Sequence, residues 1–402
     1  MFDLNEFIYK QVVKRDTSMF LNDIKNNADK LRKKIEGKRV LVIGGAGSIG
    51  SSYIKAILPF KPKTLVVVDT NENGLAELTR DLRSTSGMYV PEDYITYPID
   101  FSSKVFEKMF VKRNGFDIVA NFSAHKHVRS EKDIFSIEAL IRNNVLNAKK
   151  LLDLLAKYPP EEYFCVSTDK AANPVNIMGA SKRIMEDVIF SYSDKFPVKT
   201  ARFANVAFSN GSLPQGFLTR MDKLQPLSAP SDVKRYFVSP EESGQICMLA
   251  CMLGNNREIF FPKLQDSQMA RFDTIATALL KERGYNALEC SSDREAIEKA
   301  KELKNGSLDY PVHFSPSDTS GEKAYEEFYT DIETIDLNRL EALGVIVDKD
   351  IPDKKKIETL FEQLNELFDK DEILKEDVVH ILQIYLPNFE HIETGKSLDS
   401  KM

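Results

Sequence analysis

Residues 39–50, RVLVIGGAGSIG, decide how the rest of the chain is read. An apolar, β-branched run ends in a turn with Gly44, Gly47 and Gly50, and residues 51–58 continue at helical spacing. A strand that passes into a helix across three glycines brings bare backbone and a helix N-terminus to one point. Unpaired N–H groups and a partial positive charge favour phosphate there. The next apolar run, TLVVVD at 64–69, closes on an acid. Strand, glycine turn, helix, strand and terminal acid together form a dinucleotide-binding fingerprint, which the glycines alone would not. On this reading Gly44, Gly47, Ser48, Ile49 and Gly50 cradle a pyrophosphate, and Asp69 accepts hydrogen bonds from both adenosine ribose hydroxyls. An acid at that place repels a 2′-phosphate and favours NAD over NADP, although Arg80 and Arg83 stand nearby.

Outward from the turn, short apolar runs at 94–100, 117–123, 163–167 and 198–205 alternate with helical patterns at 73–83, 104–112, 131–157 and 178–193. Six such strands with five crossovers predict an α/β fold, a doubly wound Rossmann-type parallel sheet covered on both faces. Residues 37–205 are assigned to this NAD-binding domain and 1–36 to a polar helical segment before it. Residues 206–350, with a helix at 240–253 and a strand at 258–263, are read as a smaller substrate-binding domain. In the remainder, 351–402, Ile357, Leu360, Phe361, Leu364, Leu367 and Phe368 repeat at helical spacing, and 373–386 predicts a second helix. The two would form a helical tail that docks on the body or on a sister subunit.

The third strand closes at Asp100, where a side chain can meet an adenine amino group; equally, Asp100 can cap the helix that follows Phe101 and Ser102. Phe101, and Ser123 and Ala124 beyond the fourth strand, lie on the same sheet edge and are read with Asp100 as cofactor-binding residues.

With 402 residues, 42% hydrophobic and 29% charged, the chain can bury a large core and has the balance of a soluble protein. A net charge of −6 argues against a nucleic-acid partner. No apolar run approaches the roughly 20 residues of a membrane helix, and the first residues are too polar for a signal peptide. Cys247 and Cys251 fit one buried helix face better than a metal or a disulfide, and the five histidines form no ligand pattern, so no metal is expected. A cytoplasmic enzyme fits these points together.

The fifth strand runs into Thr168, Asp169 and Lys170 at the carboxyl edge of the sheet, where doubly wound folds bind ligands. Met178 and Lys182 follow, four apart on one face of a helix. The stretch STDKAANPVNIMGASKR at 167–183 resembles the extended short-chain dehydrogenase/reductase superfamily. The closest resemblance is to its UDP-N-acetylglucosamine 4,6-dehydratase group, the CapD-like proteins of polysaccharide biosynthesis. SAHKHV at 123–128, NNV at 143–145, RFANV at 202–206, KRYF at 234–237 and GEKAYEE at 321–327 carry it further.

The resemblance implies roles for these positions. Lys182 would hold the nicotinamide ribose, and Asn144 would shape the active-site helix. Thr168 would bond the sugar 4-hydroxyl, Lys170 would take the C5 proton and Asp169 would protonate the departing 6-hydroxyl. Lys126, His127, Asn173 and Asn205 would reach the substrate, while Arg235, Glu322 and Lys323 would grip its nucleotide. Lys170 can act as a base only with a pKa well below the free value of about 10.4. Met178 stands where most of the superfamily has a catalytic tyrosine. The C4 hydroxyl proton must then leave another way, through Asp169 or through Lys182 and a water. The function implied is an NAD-dependent lyase that dehydrates UDP-N-acetylglucosamine to a 4-keto-6-deoxy sugar. A nucleotide-sugar 4-epimerase, which needs no base at C5, and a non-catalytic NAD-binding scaffold are the alternatives. By analogy of fold, a homo-oligomer would form through the helices at 131–157 and 178–193.

Overall fold

The computed structural model describes residues 2–317 and 326–392. Its centre is a nine-stranded sheet. The strands, in chain order, are β1 (Arg39–Ile43), β2 (Thr64–Asp69), β3 (Asp93–Pro98), β4 (Ile118–Asn121), β5 (Glu162–Val166), β6 (Val198–Ala201), β7 (Glu258–Pro262), β8 (Thr334–Asp336) and β9 (Leu343–Val347). In space they run β8-β9-β7-β6-β5-β4-β1-β2-β3. All pairings from β3 to β7 are parallel, whereas β9 is antiparallel to both β7 and β8.

The alternation along the strands explains the two layers. Val40 and Val42 of β1, with Leu65 and Val67 of β2, meet the helices Ser48–Ile57 and Pro240–Leu253. Leu41, Ile43, Val66 and Val68 point the other way, into a core closed by the helices of 134–157 and by Ile177–Phe190. Side chains that alternate across a strand and find apolar cover on both sides are what a parallel sheet requires.

The sequence reading stops the sheet at six strands, and the structure adds three. Strands β7, β8 and β9 fall within 206–350 but pair into the main sheet. The near-continuous burial of β7 and β9, EIFFP and LGVIV, is the mark of a central strand, which the loop-rich stretch around them hides, whereas β8 is an edge strand with no buried residue. A separate three-stranded parallel sheet of Asn286–Glu289, Asp309–Ser315 and Leu227–Pro230 carries the helices Leu213–Asp222 and Phe272–Glu282 around its own apolar cluster.

Two helices differ from expectation in kind. Residues 1–36 are helical, as several short helices rather than one, and most of their apolar residues are buried. Phe7, Ile8, Val12 and Val13 join the small sheet's cluster, and Phe20, Leu31 and Ile35 join the main core. The helix expected at 131–157 is Ile134–Ile141 and Asn147–Lys157 with a π-turn, Arg142–Leu146, between them. The extra residue of such a turn re-aims a side chain, and here that side chain is Asn144.

The tail helices Lys354–Phe368 and Lys375–Tyr385 dock on the body. All six residues of the predicted stripe, Ile357 to Phe368, are buried in the same core as the strands. They cover the helices through which oligomerisation was expected: Arg142 lies over Phe368 at 5.1 Å and Lys149 over Phe361 at 5.9 Å. Among the described residues no helix is long and apolar enough to cross a membrane.

Candidate active site

The strand order reverses between β1 and β4, and the glycine turn sits at the carboxyl end of that crevice. Gly44 has φ +74°, and a Cβ there would lie 2.6 Å from the Ser123 amide nitrogen. At Gly50 a Cβ would lie 2.3 Å from the Gly44 carbonyl oxygen. Both positions therefore demand glycine for packing, and Gly44 for its backbone conformation as well. Helix Ser48–Ile57 begins at Gly47 with no side chain capping its first amides, so they point into the crevice available to an anion. Asp69 is half-buried and accepts from the Ala46 amide at 3.0 Å and from the Asn71 amide at 3.0 Å. Each of its oxygens keeps a second lone pair for a hydroxyl donor, so the cradle and its acid fit an adenosine diphosphate moiety.

Asp100 is exposed, and its Oδ1 accepts from the Ser102 amide at 2.7 Å in a local turn; the cap of the helix that follows, the other role read for it, falls to Ser103, whose Oγ accepts from the Phe106 amide at 3.2 Å. Phe101 is buried in the core below it. Ile49 and Ala124 line a cavity of about 1070 Å³ that runs from the glycine turn past Thr168, Asp169, Lys170, Met178 and Lys182 to the small sheet. Asn205, Lys126 and His127 line the same cavity, beside His125. Burial lowers the proton affinity of both His125 and Lys126.

Around the turn Asp169–Ala171 the polar groups are tightly spaced. Thr168 Oγ1 donates to Asp169 Oδ1 at 2.6 Å, and Lys170 Nζ donates to Asp169 Oδ2 at 3.3 Å. The helix carrying Met178 and Lys182 packs directly on this turn; a Cβ at Gly179 would lie 2.7 Å from the Lys170 carbonyl. Lys182 Nζ donates to the Val166 carbonyl at 2.9 Å. Burial lowers its proton affinity, partly offset by Cys165 and Glu186. Asn144 is buried and bridges two elements: its Oδ1 accepts from the His125 amide at 2.9 Å and its Nδ2 donates to Ser181 Oγ at 3.0 Å.

Lys170 departs from expectation. Burial pulls its proton affinity down, but the carboxylates of Asp169 and Glu326 outweigh that, and it stands above the ordinary lysine value. Glu326 is the unforeseen member of the site. Its Oε1 accepts from Asn205 Nδ2 at 2.5 Å, its Oε2 accepts from the Tyr236 amide at 3.0 Å, and Arg235 Nε lies 3.7 Å away. Burial and the neighbouring Asp169 push its pKa up to about 7 against the pull of Lys170 and Arg235. Glu326 lies in the GEKAYEE piece, which is the signal for it in the sequence; Glu322 and Lys323 of the same piece lie outside the described residues.

Arg235 is buried against Glu326 and does not line the cavity, and Asn173 is exposed, donating to Glu327 at 3.0 Å. Nor did the sequence point to Glu131, whose Oε1 accepts from the Met178 amide at 3.0 Å. Equally unannounced is the ion network beneath the site. Ser167 Oγ donates to Glu186 at 2.6 Å, and Glu186 pairs with the fully buried Arg202 at 2.7 Å. Among the described residues no cluster could hold a metal.

A strand-end Thr-Asp-Lys turn and a Met-x-x-x-Lys helix beside a dinucleotide cradle define an extended short-chain dehydrogenase/reductase. Residues 40–348 match the family described as polysaccharide biosynthesis protein, and the chain belongs to that family, in its CapD-like group. It is 28% identical to the uncharacterized membrane protein MJ1061 of Methanocaldococcus jannaschii, over 84% of this chain and 94% of that one. To a UDP-N-acetylglucosamine 4,6-dehydratase (inverting) of Campylobacter jejuni it is 26% identical, over 57% of this chain and 67% of the relative. It spans about half the length of EpsC of Bacillus subtilis (47%). Among solved structures, Pen from Bacillus thuringiensis superposes with a TM-score of 0.63 over 82% of this chain and 98% of that one, at 19% identity, a likeness of fold.

Proposed function

We propose that the chain is an NAD-dependent nucleotide-sugar 4,6-dehydratase acting on UDP-N-acetylglucosamine. The observation that carries this reading is the hydrogen-bonded Thr168–Asp169–Lys170 turn, set in one cavity with Lys182 and the glycine cradle. The dinucleotide, when bound, supplies a hydride acceptor at C4 that is restored when the hydride returns at C6. Gly44 to Gly50 bind its pyrophosphate, Asp69 its ribose, and Lys182, fixed by the Val166 carbonyl, orients the nicotinamide half.

Thr168 bonds the sugar 4-hydroxyl and, with no tyrosine at 178, passes its proton to Asp169 over the 2.6 Å bond. Asp169 then protonates the 6-hydroxyl as it leaves, so one proton serves both steps. Lys170 takes the C5 proton and gives one back. It can do so only as the free amine, its own proton having passed to solvent water, a loss that substrate entry would favour by competing for Asp169, one of the two anions that hold that proton.

Incubation with UDP-N-acetylglucosamine in deuterated water should give a 4-keto-6-deoxy sugar with deuterium at C5. Asp169→Asn should cut its formation by at least about 100-fold. Unchanged substrate across a panel of nucleotide sugars, read by NMR, refutes the proposal. A 4-epimerase is the second reading, favoured by the cationic Lys170 of the resting site. It predicts a C4 epimer with no deuterium at C5.

A further inference from the structure

The tail lies outside residues 40–348, yet it touches the active-site helix. After helix Lys375–Tyr385 the chain turns back across the body, anchored by Phe389, which is buried in the main core. His391 Nε2 lies 3.4 Å from Glu131 Oε2, and the Ile392 amide donates to the Val175 carbonyl at 3.0 Å. Lys375 Nζ donates to the Glu131 carbonyl at 3.4 Å. Glu131 is buried, and its other oxygen accepts from the Met178 amide.

Helix Ile177–Phe190 thus begins between two acceptors. Asn176, its own cap, takes the Gly179 amide at 2.7 Å, and Glu131, brought from elsewhere, takes that of Met178. Such first-turn amides have no partner within a helix, and a carboxylate at the positive end of the helix dipole holds them best. Because Gly179 lies against the Lys170 backbone, any shift of this turn moves Lys170 relative to Lys182.

We infer that the tail is a clasp for the active-site helix, and that Glu131 is the positioning residue through which it holds Met178, Gly179 and Lys182 in register with the Thr168–Lys170 turn. Without it the Val175 carbonyl and the Glu131 carboxylate lose these tail partners. The inference concerns helix placement; its catalytic consequence rests on the proposed function.

The test compares the full chain with Glu131→Gln, Glu131→Ala and a chain ending at residue 386, each without ligand and in turnover. In Glu131→Ala and the shortened chain, amide hydrogen exchange across 177–180 should rise at least about tenfold, with strand β2 unchanged. The kcat should fall by about 10- to 100-fold with KM within about twofold, the pattern of misplacement rather than lost binding. Glu131→Gln, which still accepts from Met178, should keep most of both. Unchanged exchange and kcat in Glu131→Ala overturn the inference, as does an equal loss in Glu131→Gln. If the shortened chain also loses protection in β2 it has unfolded, and Glu131→Ala decides. If the wild type turns over no nucleotide sugar, the functional proposal fails and the exchange measurement still judges the clasp.

Discussion

Replacing Arg202 by methionine should destabilise the protein by about 3–5 kcal/mol at pH 8, toward the lower figure. The size follows from the geometry. The side chain is fully buried and spends all five N–H donors: two on Glu186 at 2.9 and 2.7 Å, two on Glu333 at 2.9 and 3.0 Å, and one on the Phe328 carbonyl at 3.1 Å. Methionine fills similar space and supplies none, stranding two carboxylates inside the protein. Partial relief comes from Arg183, 3.4 Å from Glu186, and Lys349, 3.0 Å from Glu333. The sign with pH is fixed as well. Burial raises both carboxyls but Arg202 more than reverses it, leaving Glu186 below the usual range and Glu333 at about 2. Their contribution is present above the unfolded value of about 4.3 and fades as pH falls toward about 2. In Arg202→Met the stranded groups take up protons earlier, so the gap between the two proteins should narrow from pH 8 to pH 5. Urea unfolding followed by circular dichroism at both pH values measures it. A gap under about 1 kcal/mol at pH 8, or one that widens on acidification, would refute the argument.

Gly50→Ala places a methyl 2.3 Å from the Gly44 carbonyl oxygen; NADH fluorescence titration should show affinity reduced at least about tenfold, with the small sheet's exchange protection unaltered. Glu326→Gln removes an anion that raises Lys170, so the rising limb of the kcat/KM–pH profile should move to lower pH, and an unmoved limb would detach Glu326 from Lys170. Leu364→Ala empties a fully buried position of the tail and should cost about 2–5 kcal/mol in urea unfolding, while an effect below about 1 kcal/mol would mean the tail is not part of the core.

The sequence carried the sheet's first six strands because each is a short apolar run bounded by turn residues, and a parallel sheet with two covered faces needs just that. It could not carry β8, whose Thr334–Asp336 is three residues long and half polar, since only its pairing with β9 makes it a strand. The site divides in the same way. Thr168 to Lys182 are local, within one strand–turn–helix, and spacing alone brings them together. Glu131, Glu326 and Arg202 act across gaps of 47, 121 and 126 residues in the chain, and nothing near them in sequence names their partners. Of the two carboxylates that raise Lys170, Asp169 is next to it in sequence, but Glu326 is far away in the chain.

The clasp on helix Ile177–Phe190 has a consequence for the order in which the protein matures. A chain is synthesised from its N-terminus, and domains fold as they emerge. The glycine cradle needs β1 to β4 and the helix Pro240–Leu253 that packs on its own helix, but Glu131 meets His391 only once the chain has been made a further stretch, to residue 391. A nascent or truncated chain would therefore hold a dinucleotide long before its reactive groups were in register, and cofactor would already be seated when the tail closed over the helix.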